Sequence, residues 1–184
     1  RLAKPKLKIM GIEAVKSSTP QVCRGKIKEA INIIMSKDEN TLQNFIKDFK
    51  QEFSKLPAEQ VSFPRSCNNV KKYRSSKDIF IKGSPIHVKG ALIYNYQIKK
   101  MKLQNKYPLI QDGDKIKFVK LLEQNPFRFD VISYVTKLPT EFKLENCIDY
   151  EIQFEKTFLD PMRFILEAIG WQAEKKSTLE DFFV

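Results

Sequence analysis

Asp112-Gly113-Asp114 sets two carboxylates one residue apart, a spacing with which a loop can hold divalent cations. A small metal-dependent nuclease is the enzyme that such a pair would serve. The same residues also read as a turn. Asp-Gly between Leu109-Ile110-Gln111 and the run Lys115 to Leu122 is the strongest short hairpin signal, of type I′. No other paired carboxylates, Gly-rich phosphate loop or nucleophile–base pair stands out, so the residues argue no catalytic and no metal centre. A single histidine, His87, makes zinc or haem ligation implausible. Cys23, Cys67 and Cys147 are far apart and odd in number, which implies a reducing compartment and no disulfide framework.

What remains is charge. The chain of 184 residues carries a formal net charge of +11, unevenly spread. Residues 1–28 hold eight Lys or Arg against one acid, and residues 65–120 hold fourteen against three. The rest of the chain is net acidic. Such asymmetry implies one basic face, and nucleic acid is its natural partner. Lys82, His87, Lys89, Lys99, Lys100 and Lys102, with Lys4, Lys6 and Lys8, are the candidate phosphate contacts. Flexible ammonium groups suit a backbone read without regard to sequence. No helix combines a lysine face with a long apolar face, and no apolar run reaches transmembrane length, so no membrane partner is expected.

The elements that must position these groups can be read along the chain. Lys4, Lys6 and Lys8 alternate with Leu7 and Ile9, the pattern of a short strand with its ammonium groups on one face. After Gly11 and Ser17-Ser18, Thr19 and Pro20 mark a helix start, and a basic strand entering a helix N-terminus suits phosphate. Cys23, Ile27, Ala30, Ile31 and Ile34 predict a helix to about Ser36. Asp38 or Asn40 caps a second, whose face of Leu42, Phe45, Ile46, Phe49, Phe53 and Leu56 runs to Pro57. Residues 57–78 read as a loop and Ile79-Phe80-Ile81 as a short strand. Ser84-Pro85 starts a helix to about Lys99, with a strand as the alternative because Ile93, Tyr94 and Tyr96 favour extended chain. The hairpin over 109–122 follows, then a strand from Val131 to Val135 after an Asn125-Pro126 turn. Helices return at about 145–157 and from Asp160-Pro161 to Ile169, closed by Gly170.

The wording of four stretches is more specific than their physics. Leu7-Lys8-Ile9-Met10-Gly11-Ile12-Glu13 followed by Ser17-Ser18-Thr19-Pro20 resembles the palm-to-thumb junction of family B DNA polymerases. Lys16-Ser17-Ser18 stands where cellular members carry an arginine-aspartate pair, so the form resembled is that of T-even bacteriophage replicative enzymes. His87-Val88-Lys89-Gly90 is similar to the family's His-Ile-Arg-Gly, with a point charge replacing the bidentate fork. Asn125-Pro126-Phe127 matches as well, as a structural turn, although Leu122 and Arg128 depart from the pattern. Leu179-Glu180-Asp181-Phe182-Phe183 has the spacing that plugs a helical turn into a sliding clamp, with Lys176 in place of the usual glutamine. The likeness runs from about Leu2 to the C-terminus and is poorest around residues 57–80.

The resemblance implies an α+β fold, a mainly helical thumb body with a small mixed β subdomain inserted in its middle. Residues 1–15 would be the palm-to-thumb connection and 16–174 the thumb. Its helical body would span 19–56 and 145–170, with a basic α/β tip at about 79–135. Residues 175–184 would form a clamp-binding tail anchored by Leu179, Phe182 and Phe183. Ser17 and Ser18 join the nine basic residues as DNA contacts. The chain, opening at Arg1 rather than Met, reads as a piece of something longer. It would be a fragment of a DNA-directed DNA polymerase, inactive alone. Its partners would be primer–template duplex, a sliding clamp and the remaining palm, fingers and exonuclease, in the cytoplasm of an infected bacterium. No cofactor is expected in the fragment; magnesium and dNTPs would belong to the whole enzyme. Asp112 and Asp114 lack the Tyr-Gly and Ser that flank the palm's metal-binding pair. The alternative is a freestanding DNA- and clamp-binding accessory protein.

Overall fold

A computed structural model describes residues 4–175. They are 51% helical, with one small three-stranded antiparallel sheet, so the α+β, mainly helical class holds. The chain divides into two compact units.

The first unit draws on residues 4–16, 21–55 and 154–175. It contains α1 (Lys4–Ala14), α2 (Gln21–Ser36), α3 (Glu39–Phe53), a π-helical turn (Glu155–Leu159) and α8 (Asp160–Ile169). The strand expected over Lys4–Ile9 is a helix. Leu7, Gly11 and Ala14 are its buried positions, spaced at four and three. On a helix Lys6 turns away from Lys4 and Lys8, so the three ammonium groups share no face. Gly11 is small because α2 lies against it: a Cβ there would run into the end of the Ile31 side chain.

α2 and α3 follow their apolar periodicity, burying Cys23, Ile27, Ala30, Ile31 and Ile34, and Leu42, Ile46, Phe49 and Phe53. α2 begins at Gln21, one residue beyond the expected proline start. Asp38 caps α3, its Oδ1 accepting from the Thr41 N–H at 2.8 Å. α3 ends at Phe53, short of Pro57. Phe49 packs edge-on against Phe53, Phe154 and Phe158 at centroid distances of 5.8, 5.5 and 4.9 Å. Asp160-Pro161 does not open a separate helix, because α8 continues directly from the π-helical turn. The wider turn accommodates the N–H that Pro161 lacks. Gly170, at φ 72°, closes α8, and the Trp171 N–H returns to the Leu166 carbonyl at 3.0 Å.

The second unit holds residues 17–20 and 56–153. In order it contains α4 (Ala58–Val61), β1 (Phe63–Cys67), α5 (Val70–Tyr73), α6 (Ile86–Lys100), β2 (Asp114–Lys120), β3 (Val131–Tyr134), a 3-10 turn (Thr140–Phe142) and all but the last residue of α7 (Tyr150–Phe154). Residues 57–78 are therefore not a loop. β1 pairs with β2 from Phe63↔Phe118 to Cys67↔Asp114, and β2 pairs with β3 from Lys117↔Tyr134 to Lys120↔Val131. Pro64 is tolerated because β1 is an edge strand. Ile79-Phe80-Ile81 forms no strand beyond an isolated bridge between Arg74 and Phe80. The helix reading of residues 86–99 prevails over the strand, since α6 lies across the sheet. Gly90 makes that approach possible: a Cβ there would lie 2.8 Å from the Ser133 backbone N. The helix expected from about 145 starts only at Tyr150.

The predicted hairpin is also corrected, because β2 pairs with β1 and β3 rather than with Leu109-Ile110-Gln111. Asp112-Gly113 turns the chain into β2 instead. The Gly113 N–H, at φ 90°, donates to the Cys67 carbonyl at 2.7 Å. Asp112 Oδ1 accepts the Val70 N–H at 2.5 Å, and Asp114 Oδ2 accepts the Gln111 N–H at 2.8 Å.

Candidate nucleic-acid interface

Within the second unit, α6 presents basic residues at both ends. Pro85 occupies the N-cap position and its carbonyl accepts the Lys89 N–H at 2.8 Å. Ser84 instead turns its hydroxyl to the Ile81 carbonyl at 2.6 Å. Val88, Ala91, Leu92, Ile93, Tyr94, Gln97 and Ile98 are buried, so nearly all of the helix is fixed. Lys99 and Lys100 in its last turn are exposed.

The C-terminal end of α6 is a Schellman turn. The Lys102 N–H donates to the Lys99 carbonyl at 3.1 Å, and the Leu103 N–H to the Ile98 carbonyl at 2.9 Å. Lys102 therefore stands at φ 57°, where glycine is the usual occupant. Among the described residues, no ion pair engages Lys82, Lys99, Lys100 or Lys102. Lys100 reaches over the half-exposed Tyr96 ring at 5.9 Å. Lys99 also borders a cavity of about 630 Å³ with Lys71, Arg74, Tyr96 and Gln111. Lys71 and Arg74 fall within the stretch 57–78 that reads as a loop in the sequence, so nothing there joined them to Lys99.

The other end of α6 is different. Lys89 Nζ meets Asp130 Oδ1 at 2.9 Å, and Lys120 Nζ meets Asp130 Oδ2 at 2.9 Å. Lys89 also stands over the Phe80 ring at 5.1 Å. Burial pushes the Asp130 carboxyl up, but hydrogen bonds and charge from Lys89 and Lys120 outweigh it and hold the group at about 2. Lys120 was missed because nothing local distinguishes it; only the folding of α6 onto the sheet brings it to Lys89. The signal available was Asp130, an acid just beyond the basic segment.

His87 is half-buried beside Phe118, at a ring distance of 6.4 Å. Burial, then the charge of Arg65, lower its pKa, so near neutral pH it offers a hydrogen bond rather than a charge. Lys82 and Ser17 are exposed and Ser18 is half-buried, all in the second unit. Lys4, Lys6 and Lys8 are exposed on α1 and belong to the first. Leu179, Phe182 and Phe183 lie outside the described residues.

Asp112 and Asp114 each accept a backbone N–H and so hold the turn into β2. Among the described residues, no group of three His, Cys, Asp or Glu could hold a metal ion. Burial, then the charges of Asp112 and Asp114, raise the Cys67 thiol to about 11. Burial likewise lifts Cys23 to about 11 against a hydrogen bond with Thr157, so neither is a reactive thiolate. Among the described residues, no helix is long and apolar enough to cross a membrane.

No family model matches the chain. It is 30% identical over 187 residues to a DNA-directed DNA polymerase of Enterobacteria phage T4, and 35% identical over 188 residues to that of Escherichia phage RB69. Each match covers 100% of this chain and 20% of the relative. The family resemblance therefore stands, and the chain corresponds along its whole length to one fifth of a T-even phage DNA-directed DNA polymerase.

Proposed function

We propose that this chain is the thumb, at the C-terminal end, of a phage-type replicative DNA polymerase, and that it grips primer–template duplex through phosphate contacts. The observation that carries the reading is the exposed end of α6, where Lys99, Lys100 and Lys102 stand on a fixed scaffold inside a polymerase-like sequence. Lysines there need no base edge, which suits an enzyme that must hold every sequence equally. Lys82 and the exposed lysines of α1 extend the same chemistry. Residues 175–184 supply the clamp contact through Leu179, Phe182 and Phe183, tying the enzyme to its template. Polymerisation itself belongs to the palm, with magnesium and dNTPs, in the cytoplasm of the infected host. The rest of the polymerase is then the protein partner.

Fluorescence anisotropy of the chain with labelled primer–template duplex and with single strand, over a salt series, tests the grip. Duplex preference with a log–log salt slope of about −3 to −5 is expected. Equal or absent binding at low salt would remove it. For the tail, a Phe182→Ala/Phe183→Ala chain should no longer be retained by immobilised phage sliding clamp. Undiminished retention would discard that contact.

A further inference from the structure

We propose that Lys89 and Lys120 form a binding site for one DNA phosphodiester, and that Asp130 fills this site in the free protein as an internal competitor. The inference rests on the phosphate-grip reading above and adds to it a residue, Lys120, and a restraint, Asp130.

The geometry carries it. Two ammonium groups from different elements, the first turn of α6 and the end of β2, converge on one carboxylate, each 2.9 Å from its own oxygen. A phosphodiester offers the same arrangement, two anionic oxygens on one atom. The exposures run opposite to those of a buried structural pair: the side chains of Lys89 and Lys120 are 27% and 18% exposed, and that of Asp130 is 54% exposed. The acid is thus the outer partner, and an approaching polyanion meets it first. Both lysines keep their anchorage if it leaves, one at the ammonium group and the other at the backbone. Lys89 stands over Phe80, itself packed edge-on against Phe129 at 5.7 Å, while the Lys120 main chain is pinned by its backbone N–H donating to Gln153 Oε1 at 2.9 Å.

Asp130 is placed deliberately by the Asn125-Pro126-Phe127 turn. Asn125 Nδ2 donates to the Leu122 and Phe129 carbonyls, each at 2.7 Å, and its Oδ1 accepts the Phe127 and Arg128 N–H groups at 3.0 and 2.9 Å. The Asp130 carbonyl then accepts the Leu121 N–H at 2.9 Å. The backbone is pinned while the side chain remains at the surface. An exposed ion pair is worth little, so phosphate can displace it, but every displacement weakens the grip. A polymerase that must slide after each addition gains from a contact that releases readily.

The test uses the whole chain and labelled primer–template duplex over a salt series. Asp130→Asn should bind at least about threefold tighter than a charge-matched Glu145→Gln control near 0.1 M salt, with a slope steeper by about one to two. Adding Lys120→Gln to Asp130→Asn should abolish the gain. Equal or weaker binding by Asp130→Asn than by Glu145→Gln, while the wild type binds, would overturn the competitor and leave the grip intact. Failure of every form to bind duplex would overturn both. If Asp130→Asn does not fold by circular dichroism, Lys120→Gln alone decides: its slope should be shallower by about one, and an unchanged slope rejects the site.

Discussion

The two units solve the problem of close packing in different ways. In the helical unit, contact is made by side-chain ends: Phe49 meets three other phenylalanine rings, and Gly11 yields to the tip of Ile31. In the sheet unit, ring contacts such as Phe127 with Phe142 are joined by close main-chain approaches and directed hydrogen bonds. Gly90 faces the backbone of β3. Asn95 clasps both the N–H and the carbonyl of Ile110, at 2.8 and 2.9 Å. Gln153 spans the Val61 carbonyl at 2.6 Å and the Lys120 N–H at 2.9 Å. Side-chain ends can rotate and repack, whereas backbone contacts and buried amides cannot. The unit that carries most of the candidate cations is the one whose geometry is fixed by main chain.

That contrast can be broken at its best-packed points. Phe49→Ala should cost about 3–5 kcal/mol, because three edge contacts and a fully buried ring are lost together. Urea denaturation reads it directly; a loss under 1 kcal/mol would mean that the helical core collapses freely onto the vacancy. Gly90→Ala should cost about 1–3 kcal/mol, since the Ser133 backbone has nowhere to move. Gly11→Ala should cost less than Gly90→Ala, because the end of Ile31 can rotate aside. Equal losses in the two variants would erase the distinction between the units.

The same distinction decides what was legible in the sequence. α2 and α3 were readable because Cys23, Ile27 and Ile31, and Leu42, Ile46 and Phe49, announce one face by local spacing. α1 was not, because two of its three buried positions are Gly11 and Ala14, which carry little apolar signal, while its lysines happen to alternate. β1 hid behind Pro64, Arg65 and Ser66, an edge strand whose partner lies far downstream. Asp112-Gly113 is a turn, but its hydrogen bonds run to Cys67 and Val70 rather than across a local hairpin. For the candidate interface, Lys99, Lys100 and Lys102 could be named from charge alone. Lys120 and Asp130 could not, since the pairing of β2 with β3 brings them together and only the packing of α6 on the sheet adds Lys89.

Lys102 sharpens the comparison between the two ends of α6. Its φ of 57° strains a side-chain-bearing residue, and Lys102→Gly should relieve about 0.5–1 kcal/mol. If the lysine reaches a phosphate, the same variant should lose duplex affinity and flatten the salt slope by about 0.9. Greater stability with weaker binding would mark a strained residue retained for contact. Greater stability with unchanged binding would leave Lys102 as an unfavourable cap alone.

At the opposite end of α6, acid should loosen what Asp130 holds. Burial raises its carboxyl, and hydrogen bonds from Lys89 and Lys120 prevail and set it at about 2, below the ordinary 3.8. A depressed carboxyl contributes stability that is fully present above its unfolded value and is lost as pH falls through the folded one. Wild type should therefore lose stability relative to Asp130→Asn between about pH 4 and 2. The side chain is 54% exposed, so solvent screening limits the difference to under about 1 kcal/mol. Glu141 titrates over the same range: the Thr140 hydroxyl lowers it, burial opposes, and Tyr107 and Lys106 add to the lowering, to about 2. Comparison with Asp130→Asn is what separates the two groups, because that variant keeps the Glu141 response and loses only the other. Parallel stability curves for wild type and Asp130→Asn down to pH 2 would mean that the two lysines gain nothing from the aspartate in the folded chain.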